Sequence, residues 1–230
     1  MDMPVDIQHQ VMGYDRTATM FSPEGHLLQV EYAERTVRLG SSSIGMVCSD
    51  GVLITSDKRL TDKLLAARAV FKVPEIDIHI IASSAGILAD ARILIERAQL
   101  ISQQHRVTYD SPIEPELVIK EIANIKQMFT QYGGARPYGV SMMIAGLNKE
   151  KGELYISDVT GNYFSYKAYS IGENDEKIKE KLRENYESDL VIDDGIKLAL
   201  KIFKDVQEKN FDISRFEVAY IKKGINKIER

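Results

Sequence analysis

Few side chains in this sequence have the types and spacing that catalysis or metal binding requires. Asp193-Asp194 is better explained as the cap of a helix than as an acid/base pair. Gly133-Gly134 lacks the flanking strand and helix and the Lys-Ser/Thr of a phosphate loop, so it predicts a turn. The histidines show no metal-ligand spacing; they are His9, His26, His79 and His105. We therefore expect no catalytic residue, no metal site and no cofactor.

Composition limits the classes of partner. The 230 residues, 44% of them hydrophobic, suffice for one large domain with a sizeable core. The net charge is -4 and the lysines and arginines are scattered, which predicts no nucleic-acid and no membrane partner. Cys48 is the single cysteine and is predicted to be a buried thiol. No apolar run approaches the roughly 18 residues that span a membrane, and no signal peptide is recognisable, so we expect a cytoplasmic location.

The first forty residues divide into a tail, a turn and a helix. Residues 1–13 have no convincing periodicity and predict a mobile tail. Ser22-Pro23-Glu24-Gly25 predicts a tight turn, because proline presets the backbone at the second position and glycine relieves the fourth. A helix is predicted at about 26–39, with apolar side chains at helical spacing. Such a short helix is marginal alone, so it must lie on another surface.

The rest of the chain alternates between strands and pairs of helices. Asp50-Gly51 predicts a hairpin between two strands. Apolar periodicity predicts helices, and alternation predicts extended segments. The helices are expected at 87–104, at 115–130, from Asn174 or Asp175, and from a cap at Asp193-Asp194; the extended segments at 43–48, 52–56, 70–73, 76–82, 140–144, 154–156, 164–168 and 216–220. Two sheets covered by helix pairs would bury every apolar stripe within one domain at 14–222, and 223–230 would form a frayed tail.

Several exact strings carry a family resemblance. They are YDR (14–16), FSPEG (21–25), LQVEYAERTV (28–37), SDKR (56–59), ADAR (89–92), QYGGARPYGVS (131–141) and YKA (166–168). In this order the chain resembles the α subunits of the proteasome, the non-catalytic outer-ring subunits of the 20S core particle. The resemblance implies an α+β, four-layer αββα sandwich, the fold of the N-terminal nucleophile hydrolases. The short chain without a long charged tail favours an archaeal-like ring of one α type.

The resemblance also implies a gate for protein degradation. In the family, seven α subunits form a ring whose N-terminal tails close the axial pore, and residues 1–13 would be that tail here. Tyr14, Asp15, Pro23 and Tyr32 match the cluster that orders the tails in the open state, and Arg16 completes the YDR motif.

Partner surfaces follow from the same resemblance. Lys72 matches the lysine that receives the carboxyl terminus of an AAA ATPase activator, in a pocket between neighbouring subunits, and Gly40 and Leu27 match other parts of that pocket. The helices at 87–104 and 115–130 match those that contact the proteasome β subunits. The implied partners are therefore other α subunits, β subunits, the activator, and unfolded protein substrates in transit.

Two alternatives remain open. Proteasome β subunits begin at a threonine freed by cleavage after a glycine, and Gly40-Ser41 stands at the equivalent point, with Asp57 and Lys72 near the assisting positions. A self-processing hydrolase with Ser41 as nucleophile is thus the enzyme alternative. Serine in place of threonine and the forty preceding residues count against it. A scaffold ring without any β partner is the third interpretation.

Overall fold

A computed structural model describes residues 12–59, 64, 72–225 and 227–230. Most of the predicted tail at 1–13 lies outside this range, as do residues 70 and 71 of the extended segment predicted at 70–73. Lys72 and Val73 themselves form a bend rather than a strand.

Within the described residues the chain forms five α-helices and ten strands. The helices are α1 (Leu28–Leu39), α2 (Leu88–Tyr109), α3 (Pro115–Gln131), α4 (Asp175–Asn185) and α5 (Ile192–Gln207). The strands are β1 (Ser43–Cys48), β2 (Gly51–Asp57), β3 (Glu75–Asp77), β4 (Ile80–Gly86), β5 (Val140–Asn148), β6 (Lys151–Ser157), β7 (Tyr163–Ser165), β8 (Ala168–Ile171), β9 (Phe216–Lys222) and β10 (Ile228–Glu229).

The strands form two five-stranded sheets whose pairings are antiparallel, in the orders β10-β9-β2-β1-β8 and β3-β4-β5-β6-β7. Apolar residues of both sheets, such as Ile54 and Met143, meet in a core between them. Helices α2 and α3 cover the outer face of the second sheet, and α4 and α5 cover that of the first. The predicted four-layer αββα sandwich is therefore confirmed.

Helix α1 is the short N-terminal helix predicted at about 26–39, which was expected to pack on another surface. It begins at Leu28 rather than at residue 26, because Leu27 is still extended. Leu28, Val30 and Ala33 are buried, and Val30 and Ala33 pack with Val159 from the turn after β6. The helix also contacts β4 and β5, so it rests across the ends of the second sheet.

Two helix boundaries differ from the predictions. Helix α2 runs to Tyr109 instead of about residue 104, since no glycine or proline interrupts it, and it ends at Asp110 in a left-handed conformation. The cap predicted at Asp193-Asp194 is wrong, because both residues lie within the first turn of α5. Asp50, from the hairpin between β1 and β2, accepts the N–H of Ile192 instead (2.9 Å).

Residues 228–230 are held against the fold, so the prediction of a frayed tail at 223–230 is wrong for these three residues. Strand β10 pairs with Tyr220 and Ile221 of β9. The Arg230 guanidinium donates to Val73 O (3.1 Å) and to Glu217 Oε1 (2.6 Å). Val73 is 157 residues from Arg230 in sequence, so this contact could not be inferred from local pattern. No helix in the described part of the chain is long and apolar enough to cross a membrane.

Candidate functional site

Lys72 is a buried lysine, although a lysine at a strand end is ordinarily solvated. Its side chain is 7% exposed, and Nζ donates to the carbonyl oxygen of Ser84 in β4 (2.5 Å). Burial, with a smaller contribution from the Arg59 guanidinium, lowers the pKa of Lys72 to about 8. The amine therefore has a hydrogen-bond acceptor, and the Asp57 carboxylate acts on it only at longer range, in the direction that raises its pKa. Within the described residues no carboxylate forms an ion pair with it.

Gly40 lies at the same end of β4. It follows α1, and a Cβ atom there would come within 2.3 Å of the backbone nitrogen of Gly86. This close backbone approach requires glycine. Gly86 is two residues from Ser84, so Gly40 and the Lys72 amine approach neighbouring backbone groups at the same end of β4.

Leu27 does not join them within one chain. It precedes the first residue of α1, whereas Gly40 follows the last. The twelve-residue helix places them about 18 Å apart at about 1.5 Å per residue. Leu27 instead packs beside Val30 and Val159.

The YDR motif is a single 3-10 turn, Tyr14–Arg16, which follows Gly13 in a left-handed conformation. The Asp15 carbonyl accepts a hydrogen bond from Gln29 Nε2 of α1 (2.5 Å). Asp15 Oδ1 is buried and has no hydrogen-bond partner among the described residues, while Arg16 is exposed. The motif is thus tied to α1 through its backbone.

Pro23 and Tyr32 flank that connection. Pro23 is exposed in the predicted turn, which the hydrogen bond from Gly25 N to Ser22 O closes (2.9 Å). Tyr32 is half-buried on α1, and its ring centroid lies 5.5 Å from the Arg35 guanidinium carbon. Since Gln29 and Tyr32 are three residues apart, they are neighbours on the surface of the helix.

Two of the motifs meet in a joint that periodicity did not predict, between the buried Asp90 and the exposed Arg136. The Asp90 carboxylate, in the ADAR string, accepts hydrogen bonds from both terminal nitrogens of Arg136 (2.7 Å each) and from the backbone N–H of Gly139 (2.9 Å). Arg136 and Gly139 belong to the QYGGARPYGVS string. Hydrogen bonding from Arg136 holds the pKa of Asp90 below its ordinary value. The joint fixes the start of α2 against the segment before β5.

Comparison with known proteins gives two adjoining family matches. The N-terminal signature of A-type proteasome subunits matches residues 14–35, and the general proteasome subunit family matches residues 37–221. The chain belongs to the proteasome subunit family. Its N-terminal signature is of the α type, which is the non-catalytic type.

Archaeal relatives agree over nearly the whole length of this proteasome chain. The proteasome alpha subunit of Methanocaldococcus jannaschii is 42% identical over 229 residues, covering 94% of this chain and 88% of the relative. That of Archaeoglobus fulgidus is 44% identical over 211 residues (92% and 85%), and that of Pyrococcus abyssi 43% over 209 residues (91% and 80%). Membership of this family implies assembly with other proteasome subunits.

In the Ser41 alternative, Asp57 and Lys72 would assist the nucleophile. In this proteasome chain both side chains are hydrogen-bonded to other groups. Both carboxylate oxygens of Asp57 accept from Arg215 (3.1 and 2.5 Å), and Gln207 donates to Oδ2 (3.0 Å). Asp57 is thus a structural carboxylate at the end of β2. Within the described part of the chain, no hydrogen bond joins the hydroxyl of Ser41 to Asp57 or Lys72.

Sequence reasoning missed two polar groups beside Lys72. Three buried hydroxyls contact one another between the sheets: Ser43 to Ser83 (2.8 Å), Ser56 to Ser43 (2.8 Å) and Ser56 to Ser83 (3.1 Å). Glu217, on β9, accepts the backbone N–H of Lys72 (3.0 Å). Scattered serines and an acidic residue in a strand give no local signal that they share a site.

The histidines form no metal centre in the described residues, which contain no group of three or more His, Cys, Asp or Glu side chains able to hold a metal ion. His79 is buried, and its Nε2 contacts the carbonyl oxygen of Ile113 (2.8 Å). His26 Nδ1 contacts Glu31 on the surface (2.5 Å).

Proposed function

We propose that this chain forms a seven-membered α ring that stacks on a ring of β subunits and controls the passage of unfolded protein in the cytoplasm. Residues 1–13 close the pore, and the carboxyl terminus of an AAA ATPase activator docks beside Lys72 and opens it. The observation that carries the docking part is the position of both Lys72 and Gly40 at the end of β4, where they lie beside Ser84 and Gly86. The α-type signature at 14–35 supports the ring and the gate.

The surroundings of Lys72 suit a carboxylate ligand. Nζ donates to a neutral carbonyl oxygen, so an incoming carboxylate would supply the negative charge that pairs with the Lys72 ammonium. A hydrogen bond to a charged group contributes about 1.5–3 kcal/mol when partly buried and less when exposed. Several tails docking on one ring add to this through their effective concentration.

The position of Leu27 fits a pocket shared by two subunits. A ring needs a heterologous contact, in which different surfaces of neighbouring copies meet. Leu27 and Gly40 lie at opposite ends of α1, so one copy can supply Lys72 and Gly40 while its neighbour supplies Leu27. The pocket is then complete only in the ring.

The gate part is supported by the attachment of the YDR turn. Tyr14–Arg16 is joined to α1 through Gln29, which lies one helical turn before the residue expected at the open-gate cluster, Tyr32. A movement of α1 on activator docking would therefore reach the base of the 1–13 tail.

Lys72→Ala should abolish stimulation by the activator while the particle still assembles. Loss of the charge-assisted contact should weaken tail binding roughly 10-fold or more. Stimulated peptide hydrolysis by the particle assembled with β subunits is the measurement, and Lys201→Ala, at an exposed lysine of α5, is the matched control. Full stimulation of the Lys72→Ala particle would refute the docking site.

Deletion of residues 1–13 should raise basal hydrolysis of peptides without an activator, because the pore would stay open. Active-site labelling of the β subunits should be unchanged, since the catalytic residues are not touched. An unaltered basal rate would count against a gate.

The stacking of α and β rings is tested by co-expression with a cognate β subunit, followed by measurement of the native mass. Failure to co-assemble would favour the scaffold ring.

A further inference from the structure

Glu217 is a buried carboxylate that contacts the backbone of the proposed docking lysine, Lys72. It lies opposite Ser56 in the β2–β9 pairing and is only 6% exposed. Oε2 accepts the backbone N–H of Lys72 at 3.0 Å. The contact joins positions 145 residues apart in the sequence, so it fixes the place of Lys72 relative to the first sheet.

Two cations hold this carboxylate in place. Lys58 Nζ lies 3.3 Å from Oε2, and Arg230 NH1 lies 2.6 Å from Oε1. A buried carboxylate needs such partners, because an unpaired charge is costly away from water. The charge of Glu217 is therefore compensated, and its position is determined from both sides.

The same arginine also reaches the backbone after Lys72. Arg230 NH1 donates to Val73 O (3.1 Å), and NH2 contacts the Glu75 carboxylate (3.3 Å). On the opposite side, Ser83 Oγ donates to Lys72 O (3.2 Å). The N–H and carbonyl of Lys72 and the next carbonyl are thus all hydrogen-bonded.

This arrangement has a consequence for binding. With its backbone fixed, Lys72 can vary only in its long side chain, whose amine already points to the end of β4. A group held near its bound position loses less freedom when the ligand arrives.

We propose that Glu217 is a positioning residue for carboxylate docking at Lys72, assisted by Arg230, the residue after β10. The proposal rests on the proposed function, since it takes Lys72 as the docking amine. It gives β10 a role beyond pairing, because Arg230 lies directly after that strand.

The test compares two peptides on the full-length protein assembled into rings. One is a short fluorescent peptide copied from the carboxyl end of the activator used above, with a free carboxylate; the other is its amide. Lys72→Ala should abolish the preference for the free carboxylate. Glu217→Ala should weaken the acid peptide roughly 3- to 10-fold and leave the amide unchanged.

Two further variants separate positioning from general damage. Glu217→Gln retains an acceptor for the Lys72 N–H, so it should recover part of the lost affinity. In the Lys72→Ala background, Glu217→Ala should add no further loss, because its effect passes through Lys72. If Glu217→Ala fails to assemble, Arg230→Ala, at a partly exposed residue, should show a smaller loss confined to the acid peptide.

The outcomes distinguish this inference from the proposed function. In one outcome, Lys72→Ala abolishes the preference for the acid peptide over the amide, but the Glu217 and Arg230 variants keep it. That outcome overturns the positioning role of Glu217 and leaves the docking site standing. Equal weakening of acid and amide peptides also overturns it, since that result indicates structural damage. Absence of any preference in the unmodified protein overturns the docking site itself.

Discussion

Lys126 shows how far burial can go for a single charged side chain. It is fully buried on α3. Nζ donates to Ser157 O (3.2 Å), to Ser157 Oγ (3.3 Å) and to Asp158 O (3.1 Å). None of these acceptors is a carboxylate, and burial lowers the pKa of Lys126 to about 7.

Stability should consequently rise with pH relative to a variant that cannot titrate. From pH 7 to the ordinary lysine value near 10.5, the unfolded chain binds a proton that native Lys126 does not, so alkali favours the native state. From pH 7 to pH 9 the wild type should gain on the order of 1–2 kcal/mol over Lys126→Met. Urea unfolding at fixed protein concentration measures this gain.

Methionine is unbranched like lysine, one heavy atom shorter and uncharged, so the packing difference between the two proteins stays constant with pH. Lys72 also titrates near this range, but it is present in both proteins and cancels. A stability difference that does not change between pH 7 and pH 9 would show that Lys126 keeps its charge.

The sequence could place Lys126 on a helix but not in the interior. The apolar spacing of α3 predicted its buried face, and Lys126 lies four residues after Ile122 on that face. The carbonyl groups that the amine needs come from Ser157, the last residue of β6, and from Asp158 directly after it. Lys72 poses the same problem, because its acceptor and Glu217 come from other strands.

Among the secondary-structure elements, the joint between α2 and the segment before β5 should be a main local source of stability. Asp90→Asn removes the charge that pairs with Arg136 and receives the Gly139 N–H. The expected loss is about 1–2 kcal/mol, less than for a fully buried pair because 57% of the Arg136 side chain is exposed.

Chemical unfolding of Asp90→Asn measures this loss, with Asp193→Asn as the control, since Asp193 is an exposed acid in the first turn of α5. The depressed pKa of Asp90 adds a second readout. Its stabilisation is present above the ordinary aspartate pKa and disappears as the pH falls through the native value, so the two proteins should converge in acid. Equal stability near neutral pH would contradict the role of the joint.

Local pattern predicted most elements but not how they meet. Helical and alternating spacing identified α1 to α5 and the long strands, because each buries one face. The strand order, the cap that Asp50 provides for α5, and β10 depend on contacts between distant segments. The family resemblance supplied the layer order and the site residues, which periodicity alone could not.

At the scale of the whole molecule, the residues that self-processing would remove include a helix that packs on the rest of the fold. Cleavage after Gly40 would detach α1, whose buried Val30 and Ala33 pack on Val159. The bond itself is embedded, since Gly40 O accepts the N–H of Glu173 (2.9 Å). The α-type signature at 14–35 also lies within the segment that would be lost.

The chain should therefore keep the residues before Ser41 after assembly with β subunits. Intact mass of the α chain from the assembled particle is the measurement. Ser41→Ala should differ from the wild type only by the mass of the substituted side chain, with the same rate of peptide hydrolysis by the particle. A chain shortened by residues 1–40, with a free amine on Ser41 and a loss of activity in Ser41→Ala, would instead establish an N-terminal nucleophile, and Lys72 would then be its assisting amine.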